Sequence, residues 1–426
     1  MKHVYFFGDG QADGACSDNE LLGGKGANLA EMTNIGLPVP PGFTITTECC
    51  VEYLKKNQFS NSLKNDVASM ILKIEHLMGN QFGSVKSPLL LSIRSGARQS
   101  MPGMMETVLN VGLTEKTIPG LIKIFKDKKF VYDAYRRLIM MYADVVMEKS
   151  EGIVLVKGGL SIREELEFIL DEIKKKNNIA CDSDFSASQL KDISILFKKK
   201  IKSKLGKSFP DNPTEQLWGA IEAVFKSWNG KRAIHYRKIE KIPNHWGTAV
   251  NVQAMVFGNL GKESGTGVAF TRNPSTGSDK FYGEWLVNAQ GEDVVAGIRT
   301  PNPINNHSRN KKSKQVPSLE RSFPKVYSQL IDIKNILENH FRDMQDIEFT
   351  FQNNVLWMLQ TRNGKRNGRA ALNIAMDLCK QELISEVDVI NRVTTSNLEE
   401  IMHPMIDPKK EKEYKILASG LPAGPG

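Results

Sequence analysis

Arg94 and Arg98 stand among glycines and hydroxyls in the stretch Ser92-Ile-Arg-Ser-Gly-Ala-Arg-Gln-Ser-Met-Pro-Gly-Met-Met-Glu-Thr107. Guanidinium groups are always charged and offer rigid, forked donors for phosphate oxygens, while glycine lets main-chain N–H groups come close. The stretch therefore has the make-up of an anion-binding loop. A second cation, Lys25, lies in Gly23-Gly-Lys-Gly26, which lacks the Gly-x4-Gly-Lys-Ser/Thr spacing of a P-loop. A third set sits far along the chain, where Asp346 and Glu348 alternate with Ile347 and Phe349, and Gln360 and Arg362 follow a turn. Two acids, an amide and an arginine on one face would suit a metal–phosphate site. Carboxylate oxygens are hard ligands for Mg²⁺, and an arginine neutralises the phosphate beside it.

Particular elements must carry these groups. The apolar run Leu89-Leu-Leu-Ser-Ile93 predicts a buried strand that delivers both arginines into the loop after it. Asp18 to Met32 reads as a glycine-rich turn entering a helix that stops near Gly36, and Pro38-Val-Pro-Pro-Gly42 forces an extended link into a strand at Phe43–Thr46. Asp346 to Arg362 reads as a hairpin. If Ile347, Phe349 and Phe351 share a face with Val355, Trp357 and Leu359, the loop must hold an odd number of residues, which Gln352–Asn354 would satisfy. Asp346, Glu348, Gln360 and Arg362 then converge on the other face. Further strands are expected at Val250–Phe257, Gly265–Arg272 and Tyr282–Asn288, and a polar loop at 298–314. From Glu115 to Lys241 the pattern is mainly helical. It has few breakers from Arg136 to Met147, a helix start at Pro213, and an apolar stripe of Leu217, Ile221, Val224, Phe225 and Trp228. Helices are expected again at 370–380 and around 382–393.

The chain has 426 residues, enough for two to three domains, and is 40% hydrophobic and 25% charged. Five cysteines form no Cys-x-x-Cys pair and the histidines are scattered, which argues against a zinc site or a disulfide frame. The net charge of +9 collects in Lys174–Lys176, Lys198–Lys207 and Lys311–Lys314. No aromatics are interleaved for base stacking, so these runs read as solvated faces and no nucleic-acid partner is expected. No apolar run is long enough to span a membrane. Met1 to Phe7 has neither a signal-peptide layout nor an organelle leader, so the expected location is the cytoplasm.

Five motifs carry a family resemblance: Leu21 to Met32, Gly36-Leu-Pro-Val-Pro-Pro-Gly-Phe43, the Arg94–Thr107 loop, Phe281 to Pro301 with Asn288-Ala-Gln-Gly-Glu-Asp293, and Asp346-Ile-Glu348 through Leu359-Gln-Thr-Arg-Asn-Gly364. In these, nearly end to end, the chain resembles the pyruvate, phosphate dikinase family, and the Lys/Asn-rich stretches are the main departures. The resemblance implies an α+β fold with an ATP-grasp-like, two-lobed nucleotide-binding domain. It implies a first lobe over 1–114, a mainly helical insertion returning to it over 115–243, a β-rich second lobe over 244–365, a helical linker over 366–415, and the start of a phosphohistidine domain at 416–426. It also implies ATP and Mg²⁺ as cofactors. Lys25, Arg94 and Arg362 would be the catalytic phosphate cations. Gly103, Met104, Thr107, Gln253, Met255, Glu348 and Gln360 would contact the nucleotide, Gln253 to Phe257 offering backbone bonds to the base edge. Glu348, Asp346 and Gln360 would hold the metal.

The family's Thr-Ser-His-Ala motif and pyruvate barrel are not in these residues. The chain is therefore expected to act as the ATP-binding, diphosphoryl-donating part, with a phosphohistidine domain in cis or in trans and with dimerisation of a full-length form. Two alternatives are part of a phosphoenolpyruvate synthase-like dikinase and a non-catalytic nucleotide-binding protein.

Overall fold

The computed structural model describes residues 2–153, 159–295, 299–307, 316–403 and 414–415. The expected start of a further domain at 416–426 and the lysines at 311–314 lie outside them. Helices and sheets are mixed in an α+β arrangement, and the chain divides into two compact units, Met1–Val256 and Phe257–Gly426.

The first unit begins with β1 (Val4–Gly8), β2 (Gln11–Ala12), α1 (Asn19–Asn34), β3 (Gly42–Ile45), α2 (Thr47–Lys56) and α3 (Asn61–Met78). A short parallel pair, β4 (Gln81–Phe82) and β5 (Pro88–Leu89), precedes β6 (Leu91–Gly96) and β7 (Thr107–Val111). Six helices follow: α4 (Ile118–Phe125), α5 (Lys128–Tyr142), α6 (Ile162–Asn177), α7 (Ala187–Leu205), α8 (Pro213–Ser227) and α9 (Lys231–Ile239). The chain then returns as β8 (Ala249–Ala254). Side-chain caps set most helix starts. The Thr46, Ser60 and Asp127 side chains accept N–H groups of the first turns of α2, α3 and α5. Ser161 and Glu164 form a capping box on α6, and Asn212 caps α8 with Pro213 at its first position.

The sheet is antiparallel, in the order β2-β1-β3-β8-β6-β7. Pairing aligns Phe43, Val252, Ile93 and Val108 in one fully buried row, and α2 and α8 pack on these strands. The α8 stripe expected to be core is core: Leu217, Ile221, Val224, Phe225 and Trp228 are buried. The helix expected to run from Arg136 to Met147 instead ends its α-helical part at Tyr142 and widens into a π-helical turn, Ala143–Lys149. That turn buries two acids beside partners. Asp144 binds Lys149 at 2.8 Å, and Glu148 accepts the Ile162 N–H at 2.7 Å. The β8 strand lies beyond the expected boundary at 243, yet it pairs between β3 and β6 in the first sheet.

The second unit contains β9 (Gly265–Phe270), β10 (Tyr282–Val287), α10 (Gly291–Val295), β11 (Asn302–Pro303), α11 (Leu319–Ser322) and α12 (Pro324–Phe341). After them come β12 (Gln345–Gln352), β13 (Val355–Asn363), α13 (Gly368–Lys380), α14 (Glu386–Arg392) and α15 (Thr395–Met402). Its antiparallel sheet runs β11-β10-β9-β12-β13. Ile347, Phe349, Phe351, Leu356 and Met358 form the buried side of the hairpin.

The hairpin corrects one expectation. Asn353 and Asn354 both adopt positive φ (49° and 65°) and make a two-residue turn, with Gln352 opposite Val355. Such turns match strand twist, and asparagine tolerates them. The odd residue sits instead at Leu359, where the register shifts between Glu348 and Phe349. Near the turn, Leu356 and Met358 rather than Val355 and Trp357 thus join the apolar face.

Candidate functional site

In the first unit, β-pairing builds a polar row on the face opposite the buried one: Thr44, Asn251, Arg94 and Thr107 are successive cross-strand partners on β3, β8, β6 and β7. Thr44 and Asn251 are buried, while Arg94 and Thr107 are half-buried. Arg94 lies on β6 itself rather than in the loop, because β6 continues to Gly96. The side-chain oxygen of Gln253, two residues along from Asn251, accepts a hydrogen bond from Arg94, and its amide donates to Pro40 O at 2.9 Å. This makes Gln253 a buried brace that aims the guanidinium.

The glycine-rich end of α1 comes down on this row. Gly23 breaks the helix at φ 65°, ψ 164°, and a Cβ there would lie 1.8 Å from Gly96 O, so only glycine fits. The Gly24 N–H bonds Ala97 O at 2.9 Å. A Cβ on Gly26 would lie 2.7 Å from Thr44. Lys25, between these glycines, is thereby fixed beside the strand end that carries Arg94.

The loop after β6 is anchored on both sides of Gly103, which is exposed at φ 69°. Met104 and Met105 pack against Met101, Trp228, Ala233 and Ile242. Arg98 stands over the Trp246 ring at 5.2 Å and reaches Glu20 at 3.7 Å. Glu106 meets Lys149 at 3.5 Å, which ties the loop to the π-helical turn. At the end of β8, the Ala254 and Met255 N–H groups bond Pro41 O and Leu90 O, each at 2.9 Å. Those two donors are therefore used inside the fold and do not face a base edge.

The second unit brings its four expected residues together. Asp346 pairs across the strands with Arg362, and Glu348 with Gln360. The Arg362 Nε donates to Asp346 at 2.7 Å. Burial pushes the Asp346 carboxyl above its ordinary range and nearby Glu348 adds to this, while Arg362 opposes it. Glu284, which sequence reasoning missed, is aligned through Val268 with Glu348, so it shares this face. Its carboxyl is also raised by burial. The groups on this face that could hold a metal, the carboxylates of Asp346, Glu348 and Glu284 and the amide of Gln360, offer oxygens, which fits a hard cation. Among the described residues no three acidic, histidine or cysteine side chains form a ready-made metal cluster. Mg²⁺ does not require one, since it commonly binds one or two carboxylates together with phosphate oxygens and water.

Asn251 was missed as well. It is fully buried, its oxygen accepts from Thr44 at 2.8 Å, and its Nδ2 has no partner among the described residues. The alternation of Asn251 and Gln253 with Val250, Val252 and Ala254 was the available signal.

Comparison with known proteins decides the family. Residues 19–70 and 59–383 match the family described as "Pyruvate phosphate dikinase, AMP/ATP-binding domain". The chain belongs to that family. It is 50% identical over 426 residues to a pyruvate, phosphate dikinase of Rhizobium meliloti and 47% identical over 427 residues to that of Clostridium symbiosum, covering all of this chain and 46% of each relative. A chloroplastic pyruvate, phosphate dikinase 1 of Zea mays is 44% identical, with 42% of its length covered. The chain thus spans a little under half the length of these relatives. No helix among the described residues of this dikinase-family chain is long and apolar enough to cross a membrane.

Proposed function

We propose that this chain is the nucleotide-binding, diphosphoryl-donating part of a pyruvate, phosphate dikinase, built on an ATP-grasp-like scaffold. In this reading the first unit supplies phosphate cations and the second supplies metal ligands. The observation that carries it is the pair of polar sets: Arg94 braced in one unit beside the glycine turn that carries Lys25, and Asp346, Glu348, Gln360 and Arg362 gathered in the other. These sets are the parts phosphoryl transfer needs, because it depends on positioning and charge neutralisation.

The full reaction converts ATP, phosphate and pyruvate to AMP, diphosphate and phosphoenolpyruvate. A histidine nitrogen attacks the β-phosphorus of ATP, the α,β-bridging bond breaks, and AMP leaves with that electron pair. Orthophosphate then takes the γ-phosphoryl group as diphosphate, and the phosphoryl group left on the histidine passes to pyruvate. Lys25, Arg94 and Arg362 neutralise the transferring oxygens, and Gln253 holds Arg94 in line. Gly103 and Met104 belong to the covering loop and Thr107 lies beside Arg94 on β7, while Met255, next along from the Gln253 strand, flanks the base. Glu348, with Asp346, Gln360 and the newly identified Glu284, would hold Mg²⁺, which supplies charge neutralisation when bound.

The histidine and the pyruvate site belong to further domains, in cis or in trans. The helices α13 to α15 form a linker towards them, and a full-length form is a cytoplasmic homodimer. The test uses ATP labelled at the β-phosphate, a separately expressed phosphohistidine domain of proven activity, and this chain. The expected result is AMP together with label on the histidine. No transfer would overturn the proposal. Orthophosphate dependence of the completed reaction separates it from a phosphoenolpyruvate synthase-like activity.

A further inference from the structure

The helices α6 and α7 form an antiparallel pair, with the α7 residues Lys200 and Lys204 paired to Glu165 near the start of α6. One stripe of each faces inward: Leu166 and Leu170 of α6 and Leu190, Ile193, Phe197 and Ile201 of α7 are buried, and both helices pack with α5. A second stripe on each helix lies outside that buried core. Ile169, Glu172, Ile173 and Lys176 of α6 and Leu196, Lys199, Lys200 and Ser203 of α7 line an open groove of about 550 Å³. Both stripes follow i, i+3, i+4, i+7, so each runs straight along its helix for two turns. Large apolar side chains sit in or beside the groove with no cover: Phe168 is 58% exposed, Leu196 42% and Ile195 39%.

We propose that this groove is a docking site for an amphipathic helix of another protein, one whose flanks carry carboxylates. A groove between two packed helices accepts a third helix, whose apolar ridge fills it at i, i+3, i+4 and i+7. The rim gives the sign of the partner. Lys176 and Lys199 make no ion pair among the described residues, and Glu172 is the one acid lining the groove. Lys174, nearby on α6, is already held by Asp182 and Asp171. Two copies meeting groove to groove would oppose their own lysines, so the rim disfavours self-docking. A concave slot of this kind also fits a helix better than the plane of a bilayer.

The test measures fluorescence anisotropy of a labelled helical peptide with leucines at i, i+3, i+4 and i+7 and glutamates on its flanks. A lysine-flanked version and a scrambled version serve as controls. Saturable binding that weakens with salt is expected, together with a loss of roughly tenfold or more in Leu196→Glu and in Lys199→Glu. Both residues are surface-exposed and distant in sequence from the nucleotide residues, so unchanged Mg·ATP binding reports an intact fold. Four results would each overturn the proposal: equal binding of the lysine-flanked peptide, indifference to both substitutions, co-sedimentation with phosphatidylserine vesicles in place of peptide binding, or self-association abolished by Leu196→Glu.

Discussion

Arg94 is held by its neighbours in the sheet, with Asn251 and Thr107 as cross-strand partners and Gln253 accepting from its guanidinium. Replacing it with alanine should weaken Mg·ATP binding by about 1.5–3 kcal/mol, measured by calorimetry, because a charge-assisted phosphate contact is lost. Asp346 makes a different prediction. Burial raises its proton affinity, so the folded chain holds that proton more tightly than the unfolded chain does. Its contribution favours folding at low pH and is lost as pH rises through the raised range. Asp346→Asn should therefore raise the melting temperature of the metal-free protein at neutral pH, with the gain shrinking as pH falls. The same substitution should reduce Mg²⁺-dependent ATP affinity. A lower melting temperature at every pH would contradict this. At this scale the charged candidates were readable from side-chain type and spacing alone. Glu284 and Asn251 were not, since a single polar residue in an alternating strand reads equally well as a solvent face.

Among the elements, the glycine-rich start of α1 is the most sensitive to one added methyl group. Gly23→Ala combines a left-handed φ with overlap against Gly96 O. Urea denaturation should show a loss of at least about 1–3 kcal/mol, the usual cost of such backbone strain. Mg·ATP affinity should fall with it, because Lys25 moves with the turn. Stability equal to wild type would mean that this approach is not needed. The hairpin shows how far periodicity carries. The need for one odd residue followed from the apolar pattern of β12 and β13, and so did the shared face of Asp346, Glu348, Gln360 and Arg362. Its location at Leu359 did not follow. That depended on Asn353 and Asn354 both adopting positive φ, which no hydrophobic pattern encodes.

Over the whole molecule, each compact unit is closed by contacts remote in sequence. In the second unit, fully buried Arg272 follows β9 by two residues and reaches Glu338 on α12 at 3.1 Å, and both Asp377 on α13 and Gln381 just after α13 at 3.3 Å. Arg272→Met would leave Glu338 buried without this partner, a change that typically costs 3–5 kcal/mol. Differential scanning calorimetry should show a lower melting transition for the second unit and an unchanged one for the first. In the first unit, β8 returns after six helices to pair between β3 and β6. Strand and helix content were legible from local periodicity, but that pairing was not, because no local signal specifies which distant strand it joins.

Titration of Mg·ATP into the wild-type chain and into Arg94→Ala and Glu348→Ala, one substitution in each unit, tests the central claim most directly. The account predicts one nucleotide per chain, bound at least roughly tenfold more weakly by each variant, with far-ultraviolet circular dichroism unchanged. No binding by the wild type, or full affinity in either variant, would contradict it.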